Sequence, residues 1–199
     1  MAVVTAPVLV LGGGGGSTIT VTVAEGDKFY YSLKTGKQVD ENTIASDGWD
    51  IGFQRPRAII TNSGATAANL KSGGKGSVWY TEKTDFDSVV QKDAVTSGAL
   101  SEYFTDTQKY IYSMSTLQHN TYNVINFPGF KEGNGIENTP FKTMLYDQKQ
   151  FYKGGDGYPV TKTVYIVKHG DGNGYSKIQV SRYEYANKTD IYVVKYQQF

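Results

Sequence analysis

The stretch GWDIGFQRPRAIITNSG (residues 48–64) combines the alternation of a buried β-strand with charges that such a strand rarely contains. Every second residue near its start is apolar: Trp49, Ile51 and Phe53. Asp50 lies among them, and by the two-residue period Arg55 falls on the same face as the apolar side chains. Pro56 then removes a backbone donor, which indicates that the strand leaves its sheet there. The segment therefore predicts a strand whose two charges need a structural explanation.

The same alternation continues through most of the 199-residue chain. Five further tracts are typical of strands: TITVTVAEG (18–26), DKFYYSLKTGKQV (27–39, with a turn at Thr35-Gly36), GSVWYT (76–81), KYIYSM (109–114) and DIYVVKYQQF (190–199). The clearest hairpin is KTVYIVKHGDGNGYSKIQVSRYEY (162–185), in which two β-rich runs flank a glycine-rich turn. The 16 Tyr and 23 Gly also favour strands and turns.

These patterns predict an all-β fold with a single antiparallel domain of roughly nine to eleven strands over residues 19–199. Residues 1–18 are interpreted as a flexible N-terminal segment or an expression remnant, because five glycines follow an apolar run too short to span a bilayer. The only helical pattern lies at 85–103, as short turns capped by Asp85 or Asp87. The tract SGGKGS (72–77) is interpreted as a flexible connector.

Residues 117–157 carry glycines, two prolines and only short apolar bursts, so we predict long irregular loops there. Such segments are uncommon in compact domains unless they bind a ligand, and the aromatic content argues against simple disorder. We therefore expect a ligand to bind in this region.

Composition and motifs exclude several classes of function. The formal net charge of +1 provides no field that would gather nucleic acid or an anionic membrane. The absence of cysteine excludes disulfides, thiolate zinc sites and covalent haem attachment. With two His and no catalytic motif, a hydrolytic triad has almost nothing to be built from, and we predict that the protein is not an enzyme.

Apart from Met1, four side chains are candidate metal ligands through nitrogen or sulfur: Met114, His119, Met144 and His169. Imidazole and thioether are the usual axial ligands of a haem iron held without cysteine. His169 lies at the tip of the predicted hairpin, where a solvated turn residue is expected. Met114 fits core packing as well as ligation, and a loop histidine such as His119 is often a surface residue.

The signature WDIGFQRPRAIITNSGAT (49–66) resembles that of the HmuY-like haem-binding lipoproteins of Bacteroidetes, in which a Trp-Asp strand with Phe and Arg precedes Thr-Asn-x-Gly. The segments at 29–39 and 164–185 are similar to the family's flanking segments and occur in the same order. In such a fold we expect Asp50 and Arg55 to pair or to cap neighbouring loops, because an unpaired buried charge is too costly. The signature segment is then part of the structural scaffold, and it does not indicate which ligand is bound.

The resemblance implies a protein that is exported and that is either lipid-anchored at the outer-membrane surface or released. Its expected partners are haem (iron protoporphyrin IX), a TonB-dependent outer-membrane haem receptor and host haemoproteins. Membrane contact is expected only through a lipidated cysteine, which is not among these 199 residues.

Family members hold the iron with two matched axial side chains, His/His or Met/Met, from two loops. Here His119 and Met144 are 25 residues apart (144 − 119), and Met114 and Met144 are 30 apart (144 − 114). We expect Met144, with His119 or Met114, to ligate the iron. Four aromatic residues would line the porphyrin, with Lys142 or Lys153 near its propionates: Tyr122, Phe127, Phe130 and Phe141.

A second class of function stays open, because neither pair reproduces the family's matched couples in a motif that aligns with this sequence. The same scaffold would then be a cell-surface interaction module that has lost haem ligation and binds a glycan, a peptide or a protein.

Overall fold

The computed structural model describes residues 16–24, 26–54, 58–81, 83–96, 105–113, 118–125, 163–187 and 189–199. These residues form eleven strands: β1 Ser17–Ala24, β2 Lys28–Ser32, β3 Lys37–Val39, β4 Ile51–Gln54, β5 Ala58–Thr61, β6 Ser77–Tyr80, β7 Asp106–Ser113, β8 Gln118–Ile125, β9 Val164–Lys168, β10 Tyr175–Ala186 and β11 Thr189–Gln198. Two short helices, α1 Gly64–Leu70 and α2 Gln91–Thr96, and a single 3-10 turn, Glu41–Thr43, accompany them. The prediction of an all-β fold with short helical turns is confirmed.

The strands form three antiparallel sheets. Five strands make the largest sheet in the order β1-β11-β10-β9-β6, and four make the second in the order β3-β2-β4-β5. The third is the two-stranded ribbon β7–β8. Because one buried cluster draws on both larger sheets, those sheets face each other across a common core. In it Val21 and Tyr192 of the first sheet meet Ile51 and Phe53 of the second.

Sequence patterning accounts for the strands that border this core. In β11 buried and partly buried residues alternate along most of the strand, as expected where one face meets the core. In β9 the first four residues are all buried. Tyr165 and Val167 face the core between the sheets, whereas Val164 and Ile166 pack with Phe86 and Val89 on the outer face. The segment around Phe86 therefore covers the face of β9 that would otherwise meet water.

A buried lysine holds that covering segment in place. Lys177 of β10 is 4% exposed, and its Nζ donates to the carbonyls of Phe86 and Val89, both at 2.7 Å. The ammonium also lies 4.4 Å from the centre of the Phe86 ring. Burial lowers the pKa of Lys177 below its usual value. These bonds keep residues 86–89 in turns rather than in a helix.

Short helical turns are predicted within residues 85–103, and the structure has a turn at residues 87–88 followed by helix α2, which begins at Gln91. Asp85 accepts a bond from the backbone amide of Asp87 and caps a turn, and Asp93 accepts from the amide of Val90 just before α2. Residues 97–104 lie outside the described part of the chain. Neither helix in the described ranges has the length and hydropathy to cross a membrane.

Three elements were missed from the sequence, the first of which is the 3-10 turn Glu41–Thr43. Helix α1 follows the Thr-Asn-x-Gly signature, where its seven residues GATAANL show no capping box and too few turns for a periodic pattern. Strand β8 lies inside the region predicted to be irregular, which is wrong for residues 118–125. Its His and Asn residues obscure the alternation, and pairing with β7 supplies the hydrogen bonds that make it a strand. Strand β1 begins at Ser17, two residues before the predicted domain start.

Candidate functional site

The β7–β8 ribbon carries two of the residues predicted to hold the cofactor. Its register runs from Asp106 opposite Ile125 to Ser113 opposite Gln118. His119 lies opposite Tyr112, close to the end at which residues 114–117 join the two strands, and Tyr122 lies opposite Lys109. Residues three apart in a strand belong to opposite faces, so these two positions do not share a face of the ribbon.

The other five predicted site residues lie outside the described residues: Met114, Phe127, Phe130, Phe141 and Met144. Met114 directly follows the last residue of β7, and the remaining four belong to residues 126–162, which follow β8. Their roles stay predictions, as do those of Lys142 and Lys153.

The ribbon lies against β5 and α1. β5 lies in the signature segment together with β4, and α1 begins in it, so the scaffold around the signature carries the predicted ligand-binding ribbon. Two buried polar side chains of the signature, Asp50 and Asn62, organise this scaffold.

Asp50 caps two loops from a position that is 2% exposed. Its Oδ1 accepts the backbone amide of Gly170 at 2.7 Å, and its Oδ2 accepts the amide of Lys34 at 3.1 Å and the hydroxyl of Ser32 at 3.3 Å. The carboxylate thereby links the β2–β3 turn and the β9–β10 turn to β4. The prediction that Asp50 caps neighbouring loops is confirmed, whereas Arg55 and Pro56 lie in the gap between residues 54 and 58.

Asn62, which directly follows β5, is 0% exposed and has all its side-chain polar atoms bonded. Its Nδ2 donates to the carbonyls of Ser46 and Trp49 at 3.0 and 3.1 Å, and its Oδ1 accepts the Ser72 hydroxyl at 2.5 Å. Its backbone carbonyl accepts the amide of Gly76 at 3.0 Å. The tract 72–77 is thus packed onto Asn62, and its interpretation as a flexible connector is wrong. Sequence reasoning missed this site because nothing ties the Asn of the signature to a glycine tract ten residues later.

His169 is buried rather than solvated, which corrects the prediction made for it. It is 0% exposed, its Nδ1 lies 3.0 Å from the carbonyl of Asn173, and its Nε2 lies 2.9 Å from the Ser176 hydroxyl. Because a carbonyl only accepts, Nδ1 carries a hydrogen, and in the neutral ring Nε2 accepts from Ser176. Both nitrogens are used in closing the β9–β10 turn, so His169 is not available to an iron.

An open cleft of about 380 Å³ lies elsewhere, between the start of β1, the end of β11 and the β2–β3 turn. Its charged residue, Lys34, forms an ion pair with Asp171. Two tyrosine hydroxyls, those of Tyr31 and Tyr196, bond to each other at 3.0 Å near the cleft. No predicted site residue lines it, and its cation already has a partner.

The donor chemistry of the ribbon region suits a haem iron. Within the described ranges, no group of three or more His, Cys, Asp or Glu could hold a metal ion. A haem iron needs at most two axial donors, and neutral imidazole and thioether sulfur are suitable ones. His119 lies within the ribbon, and Met114 directly follows its first strand. These residue types fit the group without requiring a metal cluster.

Comparison with known proteins agrees with this chemistry. No curated protein matches the chain. The sequence model of the family described as "HmuY protein" matches residues 24–197, which is most of the chain. That family binds haem and is not enzymatic, which confirms the prediction that the protein is not an enzyme. The chain therefore belongs to the HmuY family.

Proposed function

We propose that the protein is a haemophore-like carrier that binds haem beside the β7–β8 ribbon and passes it to an outer-membrane receptor. The observation that carries the proposal is the family match over residues 24–197, together with the place of His119 in a ribbon that lies against the signature scaffold. Met144 supplies one axial ligand of the iron, and His119 or Met114 supplies the other.

The ribbon's connectivity is compatible with these pairs. Ser113 lies opposite Gln118, so the residue before Met114 and the residue before His119 face each other at one end of the ribbon. Ile125 ends β8 at the other end, about 20 Å from His119 at the usual rise of a strand. Met144 follows Ile125 by 19 residues (144 − 125), which span up to about 60 Å when extended. The chain is long enough for Met144 to return to His119.

Phenylalanines in residues 126–162 supply apolar walls in this proposal, and Lys142 or Lys153 faces the propionates. We further propose that the protein works outside the cell or at the outer-membrane surface, held there by a lipid anchor. It takes haem from host haemoproteins and passes it to a TonB-dependent receptor.

A spectroscopic titration with haemin tests the proposal. We expect a saturable change with a sharpened Soret band in the unaltered protein. Met144→Ala should broaden the band and weaken haemin binding at least tenfold, a loss of about 1.4 kcal/mol of binding free energy. His119→Ala and Met114→Ala identify the second ligand, since only the true ligand gives the same loss.

Neighbouring residues provide matched controls. Leu145→Ala removes an apolar side chain next to Met144, and Asn120→Ala removes a polar one next to His119. Both should keep the sharpened band. A full-strength spectrum in Met144→Ala would dismiss the ligand assignment, and a titration without saturation would dismiss haem binding altogether.

The second candidate is an interaction module on the same scaffold that binds a glycan, a peptide or a protein. It is favoured because a His/His couple is ruled out by the burial of the second histidine, His169, in a turn. The Met114 and Met144 pair also matches no family motif that aligns with this sequence. A folded protein that shows no haemin response would support this candidate directly.

A further inference from the structure

We infer that Asn62 and Ser72 are positioning residues for the haem-binding ribbon, because their side-chain bond closes the α1 segment on which the ribbon lies. This inference rests on the proposed haem-binding role. The bond joins the residue after β5 to a residue ten positions later. Because α1 lies between these two residues, the bond fixes the distance between the segments on either side of the helix.

Asn62 is held in place by bonds to backbone groups outside α1. Its amide nitrogen donates to two backbone carbonyls, those of Ser46 and Trp49, and its own backbone amide donates to the Asp50 carbonyl at 3.2 Å. Buried polar groups with every bond satisfied rigidify the structure around them. Asn62 therefore provides a fixed acceptor for Ser72, the second residue after the end of α1.

Three glycines leave space for Asn62. A Cβ at Gly74 would lie 2.0 Å from Asn62 Oδ1, and one at Gly170 would lie 2.9 Å from Asn62 Nδ2. A Cβ at Gly76 would lie 3.0 Å from the Asn62 carbonyl oxygen. At Gly74 and Gly170 the chain thus approaches Asn62 more closely than a residue with a side chain permits, and at Gly76 a side chain would be tightly crowded.

The C-terminal end of α1 has an unfavourable backbone conformation that an additional hydrogen bond can stabilise. Lys71 ends the helix in the left-handed region at φ 55°, a conformation that favours glycine. The next residue, Ser72, donates its amide to the Ala67 carbonyl at 3.1 Å and its hydroxyl to Asn62. The bond between Asn62 and Ser72, called the clamp below, therefore stabilises a strained turn. Through that turn it also stabilises the orientation of α1.

The ribbon lies against the two elements that this clamp joins. β8 contacts β5, which ends directly before Asn62, and both β7 and β8 contact α1. A change in the tilt of α1 therefore shifts the support on which His119 depends. The structure assigns the Thr-Asn-x-Gly signature a role in function that needs no contact with the ligand.

Ser72→Ala is the decisive variant, because Asn62→Ala removes three side-chain bonds and risks failing to fold. We expect amide hydrogen exchange in β7–β8 of the haem-free protein to be about tenfold faster, and the haemin dissociation constant to rise about tenfold. Ser77→Ala is the matched control, since Ser77 has the same exposed fraction of 7% and lies five residues farther on. It should change neither quantity.

The outcomes separate this inference from the proposed function. Ribbon exchange within twofold of the unaltered protein in Ser72→Ala overturns the clamp. Faster exchange with unchanged haemin affinity overturns its positioning role. If the unaltered protein does not bind haemin, the proposed function fails, and the exchange measurement alone still decides whether the clamp holds the ribbon.

Discussion

Replacement of Asp50 by Ala should destabilise the protein by about 3 kcal/mol. The variant leaves the buried amide of Gly170 without its acceptor at 2.7 Å, and an orphaned buried donor that was bonded to a charge costs about 1.5–3 kcal/mol. Lys34 is exposed, so water can satisfy its amide, and that loss is nearer 1 kcal/mol. The Ser32 bond at 3.3 Å adds little.

Asp50→Asn separates the effect of charge from that of shape. The amide keeps one oxygen for Gly170 but turns an NH₂ group towards the Lys34 amide, so we expect a loss of about 1–2 kcal/mol. Asp47→Ala removes an exposed carboxylate three residues away and should stay within about 0.5 kcal/mol.

Urea unfolding followed by circular dichroism measures these free energies. In a domain of this size about 3 kcal/mol corresponds to a fall in Tm of roughly 6–12 °C. The reasoning is refuted if Asp50→Ala unfolds within 1 kcal/mol of the unaltered protein, or if Asn proves as costly as Ala.

Three further predictions concern backbone strain, close packing and pH. Lys71→Gly should stabilise the protein by about 1 kcal/mol in urea unfolding, because glycine adopts φ 55° without strain. Gly170→Ala should destabilise it by at least about 2 kcal/mol in the same assay, because the new Cβ would lie 2.1 Å from the Trp49 carbonyl oxygen. Burial, and to a lesser extent the charge of Glu41, raise the pKa of Tyr30 from 10.0 to about 12. The unfolded chain therefore loses this proton at lower pH than the folded chain, and the free energy of unfolding falls as pH rises from 10 to 12. Tyr30→Phe should lose less of its free energy of unfolding over that range, which unfolding measured at pH 8, 10 and 11 would show.

The first two of these predictions have a control variant within the chain. Lys75→Gly changes an exposed lysine without positive φ and should bring no gain. Gly48→Ala meets only the Ser46 hydroxyl at 3.5 Å, an ordinary contact, and should be nearly neutral. A stability profile of Tyr30→Phe parallel to that of the unaltered protein across the alkaline range would contradict the linkage argument.

Local patterns predicted many of the strands, because a strand with one face on a core and the other towards water alternates in polarity. The tracts around β1, β2, β10 and β11 all show this alternation, and the turn predicted at Thr35-Gly36 separates β2 from β3. Shorter or more polar elements gave no such signal. α1 has only two turns, and β8 owes its extended form to β7 rather than to its own residues.

The candidate site likewise has residues that the sequence identified and features that only the structure revealed. Residue chemistry alone pointed to His119, Met114 and Met144, since few nitrogen or sulfur donors exist in the chain. The burial of His169 could not be read from its glycine-rich surroundings, because it depends on Asn173 and Ser176 folding back over the ring.

By itself the sequence determined the β class, the family and a short set of candidate iron ligands, because periodicity and residue type are local properties of the chain. Only the tertiary structure decided that Asp50 holds the β9–β10 turn from 120 residues away and that Asn62 ties down α1. Such bonds join distant segments, and the free energy of a buried polar group depends on partners that folding alone brings within reach.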